Sequence, residues 1–247
     1  MSIALITGGS RGIGAATAKL AAARGFAVCV NYARDEASAH GVVAEIERAG
    51  GRAIAVQGDV AREADVLRLF GEVDARLGRI SALVNNAGVC AAQARVEAMD
   101  ADRLAWVFGV NVIGSFLCAR EAVKRMSTRH GFAGGAIVNV SSGASRLGSP
   151  NEFVDYAASK GAIDTFTLGL ARETASEGIR VNAVRAGLVI TDIHASTGEP
   201  GRPERIAPTI PMQRAGSPQE IAESILWLLS PAASYVTGAL LDVTGGR

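Results

Sequence analysis

Tyr156 and Lys160 form a Tyr-x-x-x-Lys pair within the segment Tyr-Ala-Ala-Ser-Lys. Residues four apart on a helix share a face, so the phenol and the ammonium group would lie side by side. In a cleft, the ammonium would stabilise the phenolate and lower the tyrosine pKa from about 10, giving an acid or base usable near neutral pH. On an open surface the pair would have no such role. Proton-transfer chemistry therefore requires other residues that build a cleft around it.

Hydroxyl and amide side chains come before this pair in the chain. The apolar segment Ala136–Val140 has strand length and leads directly into Ser141 and Ser142. Asn111 lies within a helical apolar pattern, where a polar residue needs a reason. It either serves a site or caps a neighbouring segment.

A glycine-rich turn follows the first apolar segment. Thr7 is followed by Gly8, Gly12 and Gly14, and the chain then enters an alanine-rich helical pattern. Glycines let the backbone turn tightly and approach a pyrophosphate, whose charge is met by the free amides and the positive dipole end of the helix. The spacing is neither that of the commoner dinucleotide fingerprint nor that of a P-loop. Alone, the turn could also be purely structural.

A second polar turn, Asn85-Asn86-Ala87-Gly88, closes another apolar segment. Ligands of open α/β sheets bind at the carboxyl ends of the strands, which is where this turn would lie. Taken alone, it could equally be a turn that tolerates positive φ. The order of all five motifs, however, brings them to one edge of one sheet, and this concurrence favours a functional site.

Seven short apolar segments alternate with helical patterns and predict the elements that position these motifs. The predicted strands are 3–6, 27–32, 53–57, 82–85, 136–140, 180–184 and 240–243. Near-continuous apolar strands are buried on both faces, as in parallel sheets covered by helices. We therefore predict a single-domain α/β fold over residues 1–247: a doubly wound, Rossmann-type parallel sheet of seven strands with helices on both faces. Ser217, Pro218 and Glu220 predict the start of the last helix.

Residues 188–216 break this rhythm, with four prolines and three glycines and only weak periodicity. A long irregular insert in a compact domain is typical of a binding lid, and His194 within it could contact a substrate. Trp106 and Trp227 fit helical apolar stripes and are expected in the core.

Composition excludes several classes of protein. The 25 Lys and Arg residues against 24 Asp and Glu give a net charge of +1, so we expect no nucleic-acid or membrane partner. Three widely spaced cysteines fit a reducing compartment, and no cluster of metal ligands is found. The segment that follows Met1 is too short for a signal peptide. We expect a cytoplasmic protein without a metal.

Together, the motifs resemble those of the short-chain dehydrogenase/reductase family over essentially the whole chain. This resemblance implies that Tyr156 is the general acid/base and that Ser142 orients the substrate oxygen. It also implies that Lys160 binds the nicotinamide ribose and lowers the tyrosine pKa, while the main chain of Asn111 holds a proton-relay water.

Two features depart from the family pattern. The interval from Ser142 to Tyr156 is 14 residues, and that from Ser141 is 15, whereas 13 is commonest; we assign Ser142. The usual Pro-Gly after the sixth strand is Ala186-Gly187, which removes a rigid φ beside the nicotinamide pocket but no reacting group.

Cofactor preference is expected at the end of the second strand. Tyr32 stands where NAD-preferring relatives carry an acid, Arg34 follows, and Arg11 lies in the glycine turn. This disposition resembles members that clamp the 2′-phosphate, so NADP(H) is expected over NAD(H), although both arginines could be ordinary surface residues. The full cofactor set implied by the resemblance is Gly8, Ser10, Arg11, Gly12, Ile13, Gly14, Tyr32, Arg34, Asp59, Val60, Asn86, Ala87, Gly88, Tyr156, Lys160, Gly187, Val189 and Thr191.

The expected activity is hydride transfer between NADP(H) and a small carbonyl or alcohol substrate. One alternative is a reductase of 3-ketoacyl groups on a carrier protein, which would need basic residues at the mouth of the site. Another is a catalytically silent dinucleotide-binding sensor, which would be free to lose the serine, tyrosine or lysine. The resemblance also implies a homotetramer, with the long fourth and fifth helices and residues 235–243 in its contacts.

Overall fold

The computed structural model describes residues 2–193 and 197–247, and His194 lies outside them. Seven strands form one sheet in the order β3-β2-β1-β4-β5-β6-β7, and every neighbouring pair is parallel. Their bounds are β1 Ile3–Ile6, β2 Ala27–Tyr32, β3 Arg52–Gln57, β4 Ala82–Asn85, β5 Gly135–Ser142, β6 Ile179–Ala186 and β7 Leu240–Val243.

Helices connect the strands. They are α1 Gly12–Ala23, α2 Glu36–Arg48, α3 Glu63–Arg76, α4 Ala101–Phe108, α5 Gly114–Met126, α6 Ala144–Leu147, α7 Val154–Thr174, α8 Arg202–Ile206 and α9 Pro218–Leu229. A π-helical turn, Gly109–Ile113, joins α4 to α5 without a break. Short 3-10 turns cover Val96–Ala98, Thr128–His130, Ala175–Glu177, Ala207–Thr209 and Pro231–Ala233.

The sheet is covered on both faces, because alternate residues of the central strands enter two separate cores, whereas the edge strand β7 is only partly buried. Ala4 and Ile6 pack with α1, α2 and α9, whereas Ile3 and Leu5 pack with α3, α5 and α7. The predicted fold is confirmed: a seven-stranded parallel sheet with flanking helices in one Rossmann-like domain. The predicted start of α9 is also confirmed, since Ser217 and Glu220 form a reciprocal capping box.

The prediction for the two tryptophans is wrong. Trp106 and Trp227 are each 42% exposed. The buried residues of α9 include Ile221, Ile225 and Leu228, and Trp227 lies on the opposite side of that helix. Trp106 lies on the wall of the large cavity described below.

One helical run among the described residues, Ala101–Met126, has the length and mean hydropathy of a membrane span. Of the 18-residue stretch that reaches this hydropathy, 44% is buried inside the protein. Core helices of soluble proteins reach the same length and hydropathy.

Strand order places β1 between β2 and β4, so the connections leave β1 toward opposite sides of the sheet. In a doubly wound sheet, the crevice at the carboxyl ends of such strands is where ligands bind.

Candidate active site

A cavity of about 900 Å³ opens at the carboxyl edge of the sheet, above this crevice. Most of the predicted site residues line it together. They are Gly8, Ser10, Arg11, Gly12, Ile13, Tyr32, Arg34, Asp59, Val60, Asn86, Ala87, Gly88, Ser142, Tyr156, Lys160, Gly187, Val189 and Thr191. Gly14 and Asn111 do not line the cavity. Gly14 packs against Gly8, and Asn111 hydrogen-bonds Val89, which does line it.

The glycine turn fits a pyrophosphate. Gly8 and Gly12 have φ of +60° and +52°, which favours glycine. A Cβ on Gly14 would lie 2.3 Å from the Gly8 carbonyl oxygen, so only glycine allows α1 to start this close to the turn. Arg11, the N-cap residue of α1, makes no side-chain capping hydrogen bond, and the first turn of α1 contains no acid. The α1 amides and dipole thus suit a bound anion.

Polar side chains hold this turn against β4. Asn86 Nδ2 donates to the carbonyl oxygens of Thr7 and Gly8, both at 2.9 Å. The Thr7 hydroxyl accepts from the backbone amides of Asn86 and Ala87, both at 3.0 Å. The Asn-Asn-Ala-Gly segment therefore shapes the phosphate turn as well as lining the cavity.

At the far end of the cavity, Tyr32 is buried at the end of β2, while Arg11 and Arg34 are exposed. Asp35 also lines the cavity here, which sequence reasoning missed. Its carboxylate accepts a hydrogen bond from the Ser38 amide at 3.0 Å as the N-cap of α2. Hydrogen bonds from Ser38, helped by the Arg11 charge, hold the pKa of Asp35 below its ordinary value. The Arg11 and Arg34 guanidinium groups and the Asp35 carboxylate thus lie at the same end of the cavity.

Strand alternation separates the two candidate serines. The Ser141 hydroxyl is directed at α7, where it donates to Asp164 Oδ1 at 2.6 Å. The Ser142 hydroxyl accepts from the Ala144 amide at 3.1 Å and interacts with the Tyr156 phenol on the cavity wall. Of the two hydroxyls, the one beside the tyrosine is thus Ser142. The extra residue before Tyr156 is absorbed in a loop where Ser149 and Asn151 adopt positive φ.

The environment of Tyr156 keeps its phenol protonated. Burial raises the pKa of Tyr156, the Cys90 thiol adds to this rise, and the neighbouring Ser142 hydroxyl partly offsets it. The net direction is opposite to the lowering expected from Lys160. A protonated phenol is the form that donates a proton.

Lys160 is buried, with 5% of its surface exposed, and lies 5.6 Å from the centroid of the Tyr156 ring. Its ammonium donates to the Val140 carbonyl oxygen at 2.7 Å. Burial lowers the pKa of Lys160 to about 8, against an opposing effect of the Asp164 carboxylate. Titration of this lysine therefore falls close to neutral pH.

Asn111 lies in the π-helical turn and fastens the cavity wall. Its Oδ1 accepts from the Val89 amide at 2.7 Å, and its Nδ2 donates to Val89 O and to Ser159 Oγ, both at 3.0 Å. Its carbonyl oxygen accepts from the Ser115 hydroxyl at 3.0 Å. π-helical turns occur frequently at functional sites. This one joins the segment after β4 to the helix that carries Tyr156.

Gly187 remains essential although the preceding proline is replaced by Ala186. A Cβ on Gly187 would lie 2.6 Å from Thr244 Cα. The Gly187 amide donates to the Val243 carbonyl oxygen at 2.9 Å. The contact with β7 therefore fixes the backbone that the proline would have restricted.

The described part of the predicted lid is closed at its base. The Gly216 amide donates to Leu188 O at 2.9 Å, and the Ile190 amide donates to Gly216 O at 3.0 Å. Farther out, Arg202 on α8 donates to both carboxylate oxygens of Glu152, at 3.0 and 2.5 Å. Residues 188 and 216 thus pair at the base, and an ion pair ties the tip to the loop before α7.

Cys90, Glu152 and Arg202 line the substrate end of the cavity beside Tyr156. The three thiols, Cys29, Cys90 and Cys118, are buried and free, and burial raises the pKa of Cys90 to about 12. Among residues 2–193 and 197–247, no group of His, Cys, Asp or Glu is arranged to hold a metal ion.

Known proteins resemble this chain over nearly its whole length. A family model described as enoyl-(acyl carrier protein) reductase matches residues 8–247. The uncharacterized oxidoreductase YgfF of Escherichia coli K12 is 55% identical over 247 residues, covering all of both chains. A 3-oxoacyl-[acyl-carrier-protein] reductase of Synechocystis is 40% identical, covering 99% of this chain and 96% of the relative.

A solved structure agrees with the fold. A short chain dehydrogenase from Burkholderia cenocepacia J2315 in complex with NADP superposes with a TM-score of 0.90 at 32% identity, covering 99% of this chain and 97% of that one. The family model, the relatives and the solved structure thus match this chain over nearly its whole length. The chain belongs to the short-chain dehydrogenase/reductase family and is an oxidoreductase of that family.

Proposed function

We propose that this protein is an NADP(H)-dependent oxidoreductase that interconverts a small carbonyl compound and the corresponding alcohol, with Tyr156 as general acid/base. The observation that carries the proposal is the pair of Ser142 and Tyr156, whose side chains interact on the wall of one cavity. It lies in the same cavity as the glycine turn, so a dinucleotide seated on the turn and a substrate at the pair would share one enclosed space.

The bound cofactor supplies or accepts the hydride. In reduction, the Ser142 hydroxyl donates a hydrogen bond to the substrate oxygen, and the Tyr156 phenol gives that oxygen its proton. The Lys160 ammonium is placed to bind the ribose hydroxyls and to offset the negative charge left on the phenol oxygen. The Asn111 side chain holds the cavity wall between Val89 and Ser159 in place. Its main-chain carbonyl is proposed to bind the water that returns a proton to Tyr156. Oxidation uses the same groups in reverse.

NADP(H) is favoured over NAD(H) by the cations at the adenosine end. Arg11 and Arg34 both line the cavity beside Tyr32, and guanidinium groups suit a phosphate better than other side chains do. The Burkholderia cenocepacia relative was solved with NADP. The remaining cofactor residues assigned from the sequence, including Asp59 and Val60 at the adenine, keep those roles in this proposal.

The substrate is proposed to be a free small molecule, covered by a lid at residues 188–216. A second candidate is a 3-ketoacyl group on a carrier protein, which is favoured by the 40% identity to a 3-oxoacyl-[acyl-carrier-protein] reductase. Comparing an acetoacetyl thioester on carrier protein with free carbonyl compounds separates the two. We further propose that the enzyme works in the cytoplasm as a homotetramer.

The test is a panel of carbonyls and alcohols with NADPH, NADH and their oxidised forms, followed by nicotinamide absorbance. On the best substrate, Tyr156→Phe should lower turnover by roughly 10²–10⁴-fold, as expected for loss of a general acid, while NADPH affinity hardly changes. Tyr235→Phe, at a fully exposed position, is the matched control and should keep wild-type turnover. Wild-type turnover in Tyr156→Phe would refute the assignment, and a wild type that binds NADPH without turning over any substrate would favour the sensor.

A further inference from the structure

Arg103 and Asp155 form a largely buried ion pair next to the proposed catalytic tyrosine. Arg103 Nε donates to Asp155 Oδ2 at 2.7 Å, and Nη2 donates to Oδ1 at 3.3 Å. The carboxylate side chain is 1% exposed and the guanidinium side chain 14%. Arg103 Nη1 also donates to the Ala92 carbonyl oxygen at 2.7 Å.

These three hydrogen bonds join three separate segments. Arg103 lies on α4, Ala92 follows the Asn-Asn-Ala-Gly turn, and Asp155 lies in the first turn of α7. The N-cap residue of α7, Phe153, makes no side-chain capping hydrogen bond, so Asp155 is also the acid that faces the positive end of that helix. The first turn of α7 is therefore held by the Arg103 guanidinium group of α4, through its two hydrogen bonds to Asp155.

Packing alone does not require this pair. Removing two charges from water is costly, and apolar residues of similar volume often stabilise a core as well or better. A planar guanidinium with fixed donor directions, however, sets geometry more narrowly than apolar contacts do. What the pair adds is a defined placement of its three segments.

Tyr156 is the residue directly after Asp155, and Cys90 is buried nearby. The Cys90 thiol feels the charges of Asp155, Arg103, Arg202 and Lys160, which belong to α7, α4 and α8. The pair thus adjoins both the acid/base and the loop on the substrate side of the cavity.

We propose that Arg103 and Asp155 are positioning residues of the active site: their ion pair fixes the first turn of α7 against the segment 90–92 and so holds the Tyr156 hydroxyl at Ser142. The pairing also cancels the Asp155 charge beside the tyrosine. The kinetic part of this inference rests on the proposed function.

The kinetic test uses Arg103→Met and Asp155→Asn with the best carbonyl substrate. Small misplacements of reacting groups are costly, so kcat should fall by roughly 10- to 100-fold in each variant, while the KM for NADPH stays near the wild-type value. Arg103→Lys keeps the charge without the fork and should recover only part of kcat. In Arg103→Met, the unpaired Asp155 carboxylate should raise the pKa of Tyr156 and so move the pH profile of alcohol oxidation to higher pH. The double variant Arg103→Met/Asp155→Asn removes that charge and should move the profile back.

A second readout needs no substrate. Thiolates are the reactive form of cysteine, so the alkylation rate of Cys90 reports the local charge. Arg103→Met should slow it by roughly 3- to 10-fold and Asp155→Asn should speed it by a similar factor, since a shift of one pKa unit is a tenfold change in thiolate. Cys29 and Cys118, which are buried elsewhere, are the internal controls and should not change.

Opposite shifts at Cys90 together with the loss of kcat would support the proposal. Wild-type kcat in both variants, or faster alkylation of all three cysteines in both, would overturn it, because the latter indicates general loosening. A wild type that turns over no carbonyl would overturn the proposed function alone. The alkylation rates of Cys90 would then still test the ion pair. Changes in opposite directions in Arg103→Met and Asp155→Asn would support it, and changes in the same direction would overturn it.

Discussion

At the scale of single residues, burial acts on Tyr156 and Lys160 in the same sense. It favours the neutral form of each, so the phenol keeps its proton and the ammonium holds its proton less tightly. The tyrosine is thus ready to donate, whereas the charge on the lysine is maintained at a cost in stability.

This cost predicts the behaviour of Lys160→Met. The folded-state pKa of about 8 lies below the unfolded value of about 10.4, so the unfolded state binds more protons between these pH values. Wild-type stability should therefore rise with pH across this window, and at pH 7 the variant should melt at a higher temperature than the wild type. NADPH affinity and turnover should both be lost. Calorimetry at several pH values measures this, with the exposed Lys19→Met as control, and an unchanged wild-type pH slope in the variant would contradict it.

Arg34→Asp tests the cofactor preference. Each charge-assisted hydrogen bond to the 2′-phosphate contributes about 1.5–3 kcal/mol, or roughly 10- to 150-fold in affinity. With Asp35 already at this end, a second carboxylate should repel the phosphate and reverse the preference toward NAD(H). Steady-state kinetics with both cofactors measures it, and Arg172→Asp, which changes an exposed arginine away from the cavity, should leave it unchanged. A wild type that prefers NAD(H) would refute the assignment.

Residue types at strand ends and in motifs could be predicted, but side-chain direction could not. Ser141 and Ser142 are neighbours of one type, and only the pleat of β5 shows which of them meets Tyr156. Asp35 appears in the sequence as an ordinary helix cap, and its place on the cavity wall depends on where α2 packs. Glu152 and Arg202 lie far apart in the chain, so their pairing needed the fold.

At the scale of elements, apolar runs predicted the strands well because strands such as β1, β2 and β4 are buried along their whole length. The errors are at the ends: β5 and β6 extend into Ser142 and Ala186, whose positions are set by hydrogen bonds with neighbouring strands rather than by hydrophobicity. The π-helical turn and α8 had no sequence signal, since tertiary contacts hold both.

The tip of the predicted lid is tied down by Glu152, and Glu152→Ala should release it. Tryptic cleavage after Arg205 should become severalfold faster, because local opening of α8 no longer has to break the ion pair with Arg202. The KM for the substrate should rise, since the lid would close less of the time. Glu97→Ala, at an exposed ion pair, is the control. Cleavage at the wild-type rate would show that the pair does not hold the segment.

At the scale of the whole molecule, an apolar face on the α4–α7 side is open to solvent. Ile113 and Phe116 are 53% and 49% exposed, and Phe116 stacks on Phe166 of α7 with ring centroids 3.8 Å apart. Such a patch is typical of a surface that another chain covers. It lies on the long helices that the family resemblance assigned to the tetramer contact.

Phe116→Asp should therefore dissociate the proposed homotetramer. A carboxylate placed in a closed apolar contact would be buried without a partner, so light scattering should show a tetramer for the wild type and a smaller species for the variant. Leu67→Asp, an exposed apolar position on α3, should remain tetrameric. A monomeric wild type at micromolar concentration would refute the prediction.

Folding of this molecule depends on contacts between distant parts of the chain. The hydrogen bond from Asn86 that shapes the glycine turn closes a loop of 78 residues, and parallel strands can meet only after their crossovers have formed. Contacts of such separation are slow to make. The hydrogen bonds that hold the glycine turn therefore cannot form until the chain has been synthesised past Asn86, and the cavity wall at Gly187 is added later still. A nicotinamide nucleotide can trap the finished sheet, but it cannot template the early steps of its assembly.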